Sequence, residues 1–350
     1  MVETPLIIPI FLPAMGCRKR CLFCNLKTAP EELPSPSSVR NFVEASVARI
    51  SSGKKTREKQ VAFYGGSFTA IHKEDQARYL KEVQPFLATG LIDSIRISTR
   101  PDSLDEETLS LLKQYHIKTV EIGVQSMIDD VLRLARRGHS AADTVDAVSK
   151  LKDKKFEVGL QLMIGLPGDT LDRFLQTLEQ IIELKPDFVR IHPTLVLKDA
   201  PLENLWKDGR YSPLSLEEAI QWLKKGILKL ENSSIRVARI GLQPTEELKR
   251  DYLAGPYHPA LHQLVDSAIF FDMAMSLLQA SQKNSRPLFL CHPKEVSNLR
   301  GQKNENILRL KKHFKLSEIL IEGRQELPRS CLGFQINEGM VSIDRKSPKS

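Results

Sequence analysis

Short apolar, β-branched runs recur along the first 240 positions, at 6–11, 60–64, 94–99, 118–124, 157–164 and 187–196. Each is short and bounded by Gly, Pro, Asp, Asn, Ser or charged residues, so each reads as a strand. The roughly 20 to 50 residues between them carry helical periodicity and leave room for a return crossover, which predicts parallel βα units. Ser103 with Glu106, and Ser215 with Glu218, have capping-box spacing, in which hydroxyl and carboxylate each satisfy a free backbone N–H at a helix start. Six consecutive units predict an α/β fold of the partial (β/α)6, TIM-type barrel class rather than a closed eight-stranded barrel. A seventh strand at 235–240 would extend it.

After Gly255-Pro256 the pattern changes. Residues 258–280 read as a helix with Leu261, Leu264, Val265, Ala268 and Phe271 on one stripe. A linker at 284–287 is followed by a strand at 288–291, helices at 294–299 and 305–314, a strand at 318–322 and a hairpin around Asn337-Glu338-Gly339. The expected organisation is a barrel with its extension over 1–255, a connecting helix over 256–283, and a small C-terminal α+β appendage over 284–350.

Composition narrows the class. With 41% hydrophobic and 27% charged residues in 350, the chain is globular, not disordered, collagen-like or disulfide-built. Charges, Pro and Gly interrupt every apolar run before the roughly 18 residues a membrane span requires, so the expectation is a soluble, cytoplasmic protein with no membrane partner. Residues 6–14 followed by Met15-Gly16-Cys17 imitate a lipoprotein leader, but Glu3 and the prolines at 5, 9 and 13 speak against export. The net charge of +8 is uneven: residues 282–350 hold 14 Lys and Arg against 7 Asp and Glu. That end suits a polyanion, or is a charged surface that keeps the protein in solution.

Chemistry concentrates at Cys17, Cys21 and Cys24, just after the first strand. Three thiolates at x3 and x2 spacing suit three corners of a cubane iron–sulfur cluster and leave its fourth iron open. A closed zinc site would want a fourth Cys or His nearby, and the next downstream candidates are His72 and Cys291. Zinc and ordinary surface thiols stay as alternatives for the cysteines taken alone. Cys291 and Cys331 lack cluster spacing and read as ordinary thiols, while His192, His258 and His292 precede prolines and read as turn residues.

CxxxCxxC with Phe23 before the last cysteine, on the loop after the first strand of a βα repeat, resembles the radical S-adenosylmethionine (SAM) superfamily. The resemblance implies a 4Fe-4S cluster whose open iron chelates SAM, and reductive cleavage of SAM to a 5′-deoxyadenosyl radical. It also implies that Gly65, Gly66 and Ser67 in Tyr64-Gly65-Gly66-Ser67-Phe68 accept from the methionine amino group. Ser98, Thr99 and Gln125 would contact the ribose and polar groups, and Arg137 the methionine carboxylate. Gln161 stands where coproporphyrinogen-oxidase relatives have Asp, so its ribose contact departs from the pattern.

Within the superfamily, Ser98-Thr99-Arg100-Pro101-Asp102, Gly123-Val124-Gln125-Ser126, Arg137-Gly138-His139 and Pro193-Thr194-Leu195-Val196 are similar to the radical domain of the Elongator catalytic subunit family, which modifies the wobble uridine of tRNA. Two departures matter. The cysteine spacing is more compact here, and the 95 residues after Gly255 fall short of an acetyltransferase domain of about 150 residues and show no glycine-rich acyl-CoA loop. The segment from Leu299 to Leu310 resembles the core of a KH module, in which a GxxG loop between two helices clamps single-stranded RNA. Gly301 would give the close approach and Arg300 and Lys303 the charge, with Asn304 in place of the second glycine. A small cap on the barrel is the alternative. Arg18-Lys19-Arg20 would dock an acidic flavodoxin- or ferredoxin-type electron donor, or is a solvated charge run. The expected function is RNA modification, most plausibly of tRNA, against a small-molecule or porphyrin-like substrate and against a non-catalytic iron–sulfur or RNA-binding protein.

Overall fold

A computed structural model describes residues 5–12, 15, 17, 20–25, 34–50, 57–280, 286–336 and 339–346. Pro13, Gly16, Arg18, Lys19, Asn284, Asn337 and Glu338, all used in the sequence reading, lie outside the described residues. The chain forms two compact units, 1–213 with 235–239 and 244–255, and 214–234 with 240–243 and 256–350.

The first unit is the half-barrel. Strands β1 (Leu6–Phe11), β2 (Lys59–Tyr64), β3 (Ser94–Thr99), β4 (Ile117–Gln125), β5 (Glu157–Ile164) and β6 (Phe188–Pro193) pair in parallel in chain order. A two-stranded ribbon of β7 (Val196–Leu197) and β9 (Tyr252–Ala254) stands apart, and β8 (Arg236–Ile240) follows β6 as the seventh strand of the sheet. Helices α1 (Pro36–Arg49), α2 (Lys73–Ala88), α3 (Glu106–Gln114), α4 (Asp129–Leu134), α5 (Ala141–Asp153) and α6 (Leu171–Leu184) supply the returns, with α7 (Pro201–Lys207) and α9 (Glu246–Asp251) in the later loops. The chain runs as the sequence predicts, seventh strand included. One cap differs: α3 starts on Asp105, whose carboxylate accepts from Thr108 N at 2.7 Å, and Ser103 lies in a preceding short turn. The Ser215–Glu218 box is present, as is an unanticipated one at Ser140–Asp143.

The sheet has two unlike faces. Val61, Phe63, Ile95, Ile97, Val120, Ile122, Val158, Leu160, Val189 and Ile191 are almost fully buried. Their alternates include Gln60, Arg96, Thr119, Glu121 and Arg190, so the concave face is polar although both faces of a parallel sheet are ordinarily apolar. Gly159 shows how tightly this face is filled: an added Cβ would lie 2.2 Å from the Phe188 ring. That ring carries the Arg96 and Arg236 guanidiniums at 4.9 and 5.0 Å from its centroid. Gly159→Ala is therefore expected to destabilise by about 1–3 kcal/mol through overpacking, read as a lower urea midpoint.

In the second unit, α8 (Leu216–Asn232) and α10 (Leu261–Ala280) accompany a four-stranded sheet of order β11 (Leu320–Gly323), β10 (Leu288–Cys291), β12 (Cys331–Ile336), β13 (Gly339–Asp344). Strands β10 and β11 are parallel and the rest antiparallel. By length and composition alone α10 is apolar enough to cross a membrane, contrary to the expectation that no such run exists. Half of that stretch is buried within the protein, and Asp266 and Asp272 on it pair with Arg345 at 2.9 Å and Lys224 at 2.6 Å.

Candidate functional site

The cysteine loop leaves the end of β1 and is held from two sides. Leu12 N donates to Tyr64 O at 2.7 Å, and Ser67 N to Met15 O at 2.9 Å. A Cβ on Gly66 would stand 2.2 Å from Met15 O, and Gly65 adopts φ +104 with Leu12 backbone 3.3 Å from its own added Cβ. The two glycines thus let the β2 loop pass directly under the cysteine loop. On the other side Leu22 N donates to Ala135 O at 3.1 Å and Leu22 O accepts from Leu202 N at 2.8 Å. Leu22 packs with Val196, Leu202 and Tyr211, and Phe23 wedges between that cluster and the one formed by Val131, Ala135, Met163 and Leu166. The aromatic before the last cysteine is therefore a packing anchor.

Cys21 is buried, and Cys17 and Cys24 are half-buried. Burial pushes the Cys17 thiol up and the neighbouring Cys21 adds to it, while the Ser67 backbone N–H and the charges of Arg100 and Arg137 act the other way. Arg137 donates from Nη1 to Cys21 Sγ at 3.0 Å and from Nη2 to Gly123 O at 2.6 Å, and its buried Nε has no partner. Arg100 is fixed by a two-pronged pair with Asp102 at 2.8 and 2.7 Å. His139 lies beneath, brought down to about 4 by burial and then by Arg137 and Arg100, so its ring is neutral near pH 7. Among the described residues no three Cys, His, Asp or Glu side chains gather closely enough to hold one metal ion. Three thiols on one loop, with two guanidiniums to offset thiolate charge and a buried N–H left over, fit a multi-iron cluster with an anionic ligand beside it.

The other expected contacts fall into two groups. Ser98 lines a recess at the strand ends with Leu12, Met15, Tyr64 and Gly66. Gln125 ends β4 in a left-handed conformation, φ +69, at a break in register, and accepts from Gln161 Nε2 at 3.2 Å. Gly123 leaves room for this, since an added Cβ would lie 3.0 Å from the Gln125 amide. A non-glycine residue held at positive φ costs about 1–3 kcal/mol and marks a constrained mouth. Ser67 and Thr99, in contrast, are buried and hydrogen-bonded to each other at 3.1 Å, with Thr69 as a third member. Their hydroxyls brace the loop.

Below the mouth lies a charged network that sequence reasoning missed. Glu121 accepts from Arg96 at 2.5 Å, Arg190 at 2.8 Å and Tyr64 Oη at 2.9 Å. Arg96 Nε also donates to Gln60 at 2.6 Å, and Gln60 to Ser94 and Thr119. A charge two positions before Ser98, and another two before Gly123, was the available signal. Arg100 and Asp102 were in view as part of a motif, without a role. His258 and His292 do serve turns, their Nδ1 atoms accepting from Ala260 N and Lys294 N at 3.1 Å. His192 does not: it is within β6, with a sealed Nε2 that has no partner.

In the second unit, α11 (Val296–Arg300) and α12 (Glu305–Phe314) flank the loop 301–304. Gly301 (φ +73) packs against Asn306, and Lys303 and Asn304 take φ +51 and +62, the left-handed geometry that Asn tolerates. Asn306 anchors the loop by donating to Ser267 O at 2.9 Å. Arg300 is exposed and reaches Asn304 Oδ1 at 3.4 Å, and Lys303 is also exposed.

A sequence profile described as the radical SAM superfamily matches residues 11–181, and the radical SAM C-terminal domain matches 186–270. The tRNA uridine(34) acetyltransferase of Methanocaldococcus infernus is 34% identical over 247 residues, covering 60% of this chain and 46% of the relative. Human Elongator complex protein 3 is 34% identical over 196 residues, covering 50% and 36%. The chain thus spans less than half the length of these two curated relatives. Among solved structures, archaeal M. infernus Elp3 with an N-terminal deletion matches with a TM-score of 0.59 at 23% identity, over 77% of this chain and 63% of that one. Coproporphyrinogen III oxidase from Escherichia coli matches with a TM-score of 0.50 at 18% identity, over 96% and 68%. Both share the half-barrel fold.

Proposed function

Because the chain belongs to the radical SAM superfamily, we propose that it is a SAM-dependent radical enzyme that modifies tRNA, with Cys17, Cys21 and Cys24 holding a 4Fe-4S cluster. The carrying observation is the gathering of the cysteine loop, Arg100 and Arg137 at the mouth of the half-barrel. Members of this superfamily use such a cluster with SAM, which together supply one-electron cleavage of the sulfonium and hence hydrogen abstraction. The chain's own residues fix the loop, offset thiolate charge and wall the mouth. Gln125, Gln161 and Ser98 present polar groups there for the ribose, and the Gly65-Gly66 backbone faces the amino group. Arg137, already on Cys21, has a spare N–H for the carboxylate. Arg18-Lys19-Arg20 would receive an acidic flavodoxin- or ferredoxin-type donor. The tRNA substrate rests on the tRNA-modifying relatives. Anaerobic loading with iron and sulfide, dithionite reduction and assay for 5′-deoxyadenosine test the chemistry, and the absence of that product would overturn it.

The KH-like loop gives the RNA reading its own test. Arg300, the Gly301 approach and Lys303 would clamp a single-stranded backbone. With about four phosphate contacts, a fourfold rise in salt should weaken binding roughly fiftyfold, at a slope near 0.7 per contact on single strands. Arg300→Gln with Lys303→Gln should lower that slope by about 1.4 in fluorescence-anisotropy titrations of a uridine-rich oligonucleotide. An unchanged slope would place the RNA contacts elsewhere.

A further inference from the structure

We infer that residues 196–211 and 244–255 form a clasp on the cysteine loop, with Asp251 as a positioning residue that holds Cys24 in place through Asn25. This builds on the cluster assignment of Cys17, Cys21 and Cys24 and adds what keeps them converged. The clasp is the ribbon of β7 and β9, in which Val196 pairs with Ala254 and Leu197 with Tyr252. Helix α7 follows the first of these strands and α9 precedes the second. Lys198 N donates to Asp251 O at 2.7 Å, which ties the end of α9 to the ribbon. These stretches and the cysteine loop belong to the same compact unit.

A fixed point stands beside each cysteine. Two positions before Cys17, Met15 O accepts from Ser67 N on the β2 side. Next to Cys21, the Arg20 guanidinium donates to Asp199 O and Leu22 O accepts from Leu202 N at 2.8 Å. Asp199 offers that carbonyl from a left-handed position, φ +64, beside a turn closed by Ala200 N on Leu197 O at 3.2 Å. Next to Cys24, Asn25 Nδ2 donates to Asp251 Oδ2 at 3.2 Å. The strand ends of the half-barrel thus anchor the first arm of the loop, and the clasp anchors the other two. Three thiolates converge on one cubane only if each stretch of main chain is held before the cluster arrives.

The Asn25–Asp251 bond holds the arm that packing does not. Leu22 and Phe23 are seated in apolar clusters, whereas Asn25, a polar residue, follows them half-buried. Arg250 bonds the Asp251 carboxylate at 2.8 and 3.2 Å and holds it below the usual carboxylate range. The acceptor is therefore ionised near pH 7, and a charged acceptor makes the stronger hydrogen bond. The Asp251 side chain is 17% exposed and the Arg250 side chain 71%. Water screens the pair with Arg250, so the bond to Asn25 is the one expected to restrain the loop.

The test uses the full chain, first without iron. Alkylation of Cys17 and Cys24 by iodoacetamide is timed by mass spectrometry of their peptides. Asp251→Ala should speed Cys24 labelling about two- to tenfold, the factor in local opening that one hydrogen bond supplies, and leave Cys17 at its native rate. Asn25→Ala should match it, and the double variant should add little to either single change. Asp251→Asn keeps an acceptor oxygen and should restore the native rate, while Arg250→Ala, which removes the outer pair alone, should not depart from it. After loading with iron and sulfide, loss of iron to a chelator should quicken in Asp251→Ala and not in Asp251→Asn. Should Asp251→Ala fold poorly, Asn25→Ala carries the same comparison. Native-like Cys24 labelling in both alanine variants, equal acceleration at Cys17, iron loss that ignores Asp251→Ala, or no rescue by Asp251→Asn would each overturn the assignment. Because labelling needs no cluster, the two readings fail separately: a native protein that takes up no iron counts against the cluster, and an unchanged Cys24 rate counts against the clasp.

Discussion

Alanine at Cys24 is expected to bring 5′-deoxyadenosine formation down to the enzyme-free background, with iron bound after reconstitution well below about four per chain. Three thiolates on one loop are the fewest that can fix a cubane while leaving an iron open, and the other two cysteines lack the spacing of this loop. Cys291 is fully buried, shifted up to about 11 by burial and then Glu295, and Cys331 bonds to Asp344 at 3.3 Å, both in the second unit. Cys331→Ala is accordingly the control, expected to keep native iron content and product. Iron and sulfide analysis, electron paramagnetic resonance of the reduced protein and chromatography of the nucleoside product make the comparison. Undiminished product in the Cys24 variant would falsify the cysteine assignment. Zinc uptake with no reducible centre in the native protein would remove the cluster itself.

Glu121→Ala should produce the largest loss of stability among single substitutions in the half-barrel. The carboxylate is 3% exposed and joins three strands through Arg96, Arg190 and Tyr64. Removing it leaves two guanidiniums desolvated and repelling, which costs about 3–5 kcal/mol for a broken buried pair. At about 2–4 °C per kcal/mol, the melting temperature should drop by roughly 6–20 °C. Burial works to raise the Glu121 carboxyl, but Arg190 and Arg96 overcome it and hold it below the usual carboxylate range. A folded value below the unfolded one means the contribution is fully present above about pH 4.3 and fades as pH falls. Urea midpoints between pH 7 and 3 should therefore fall more steeply for the native protein than for Glu121→Gln. Parallel curves would show that Glu121 does not carry this linkage.

The strands were legible because one face of each is packed under helices, and that face alone supplies a run of Val, Ile and Leu strong enough to read. The same averaging hid the other face. Arg96, Glu121 and Arg190 each interrupt an apolar run by one residue, and nothing local says that the three meet on one carboxylate. Gly65 and Gly66 announced a close approach, but sequence could not say that the cysteine loop packs against them. Ser103 was read as a cap because capping boxes are defined by spacing; Asp105 won because its carboxylate was the oxygen within reach of the first free N–H groups. His192 was read as a turn residue from the following proline, whereas here Pro193 ends a strand, where its missing N–H costs little.

Sequence by itself determined the parallel βα order, the triple-cysteine spacing and the uneven charge, since each is written in residue spacing or in counts along the chain. Tertiary structure alone decided which hydroxyls brace loops and which polar groups are left for a ligand. Those outcomes depend on side chains from strands tens of residues apart converging on one concave surface, and Coulomb and desolvation energies follow distance in space rather than along the chain.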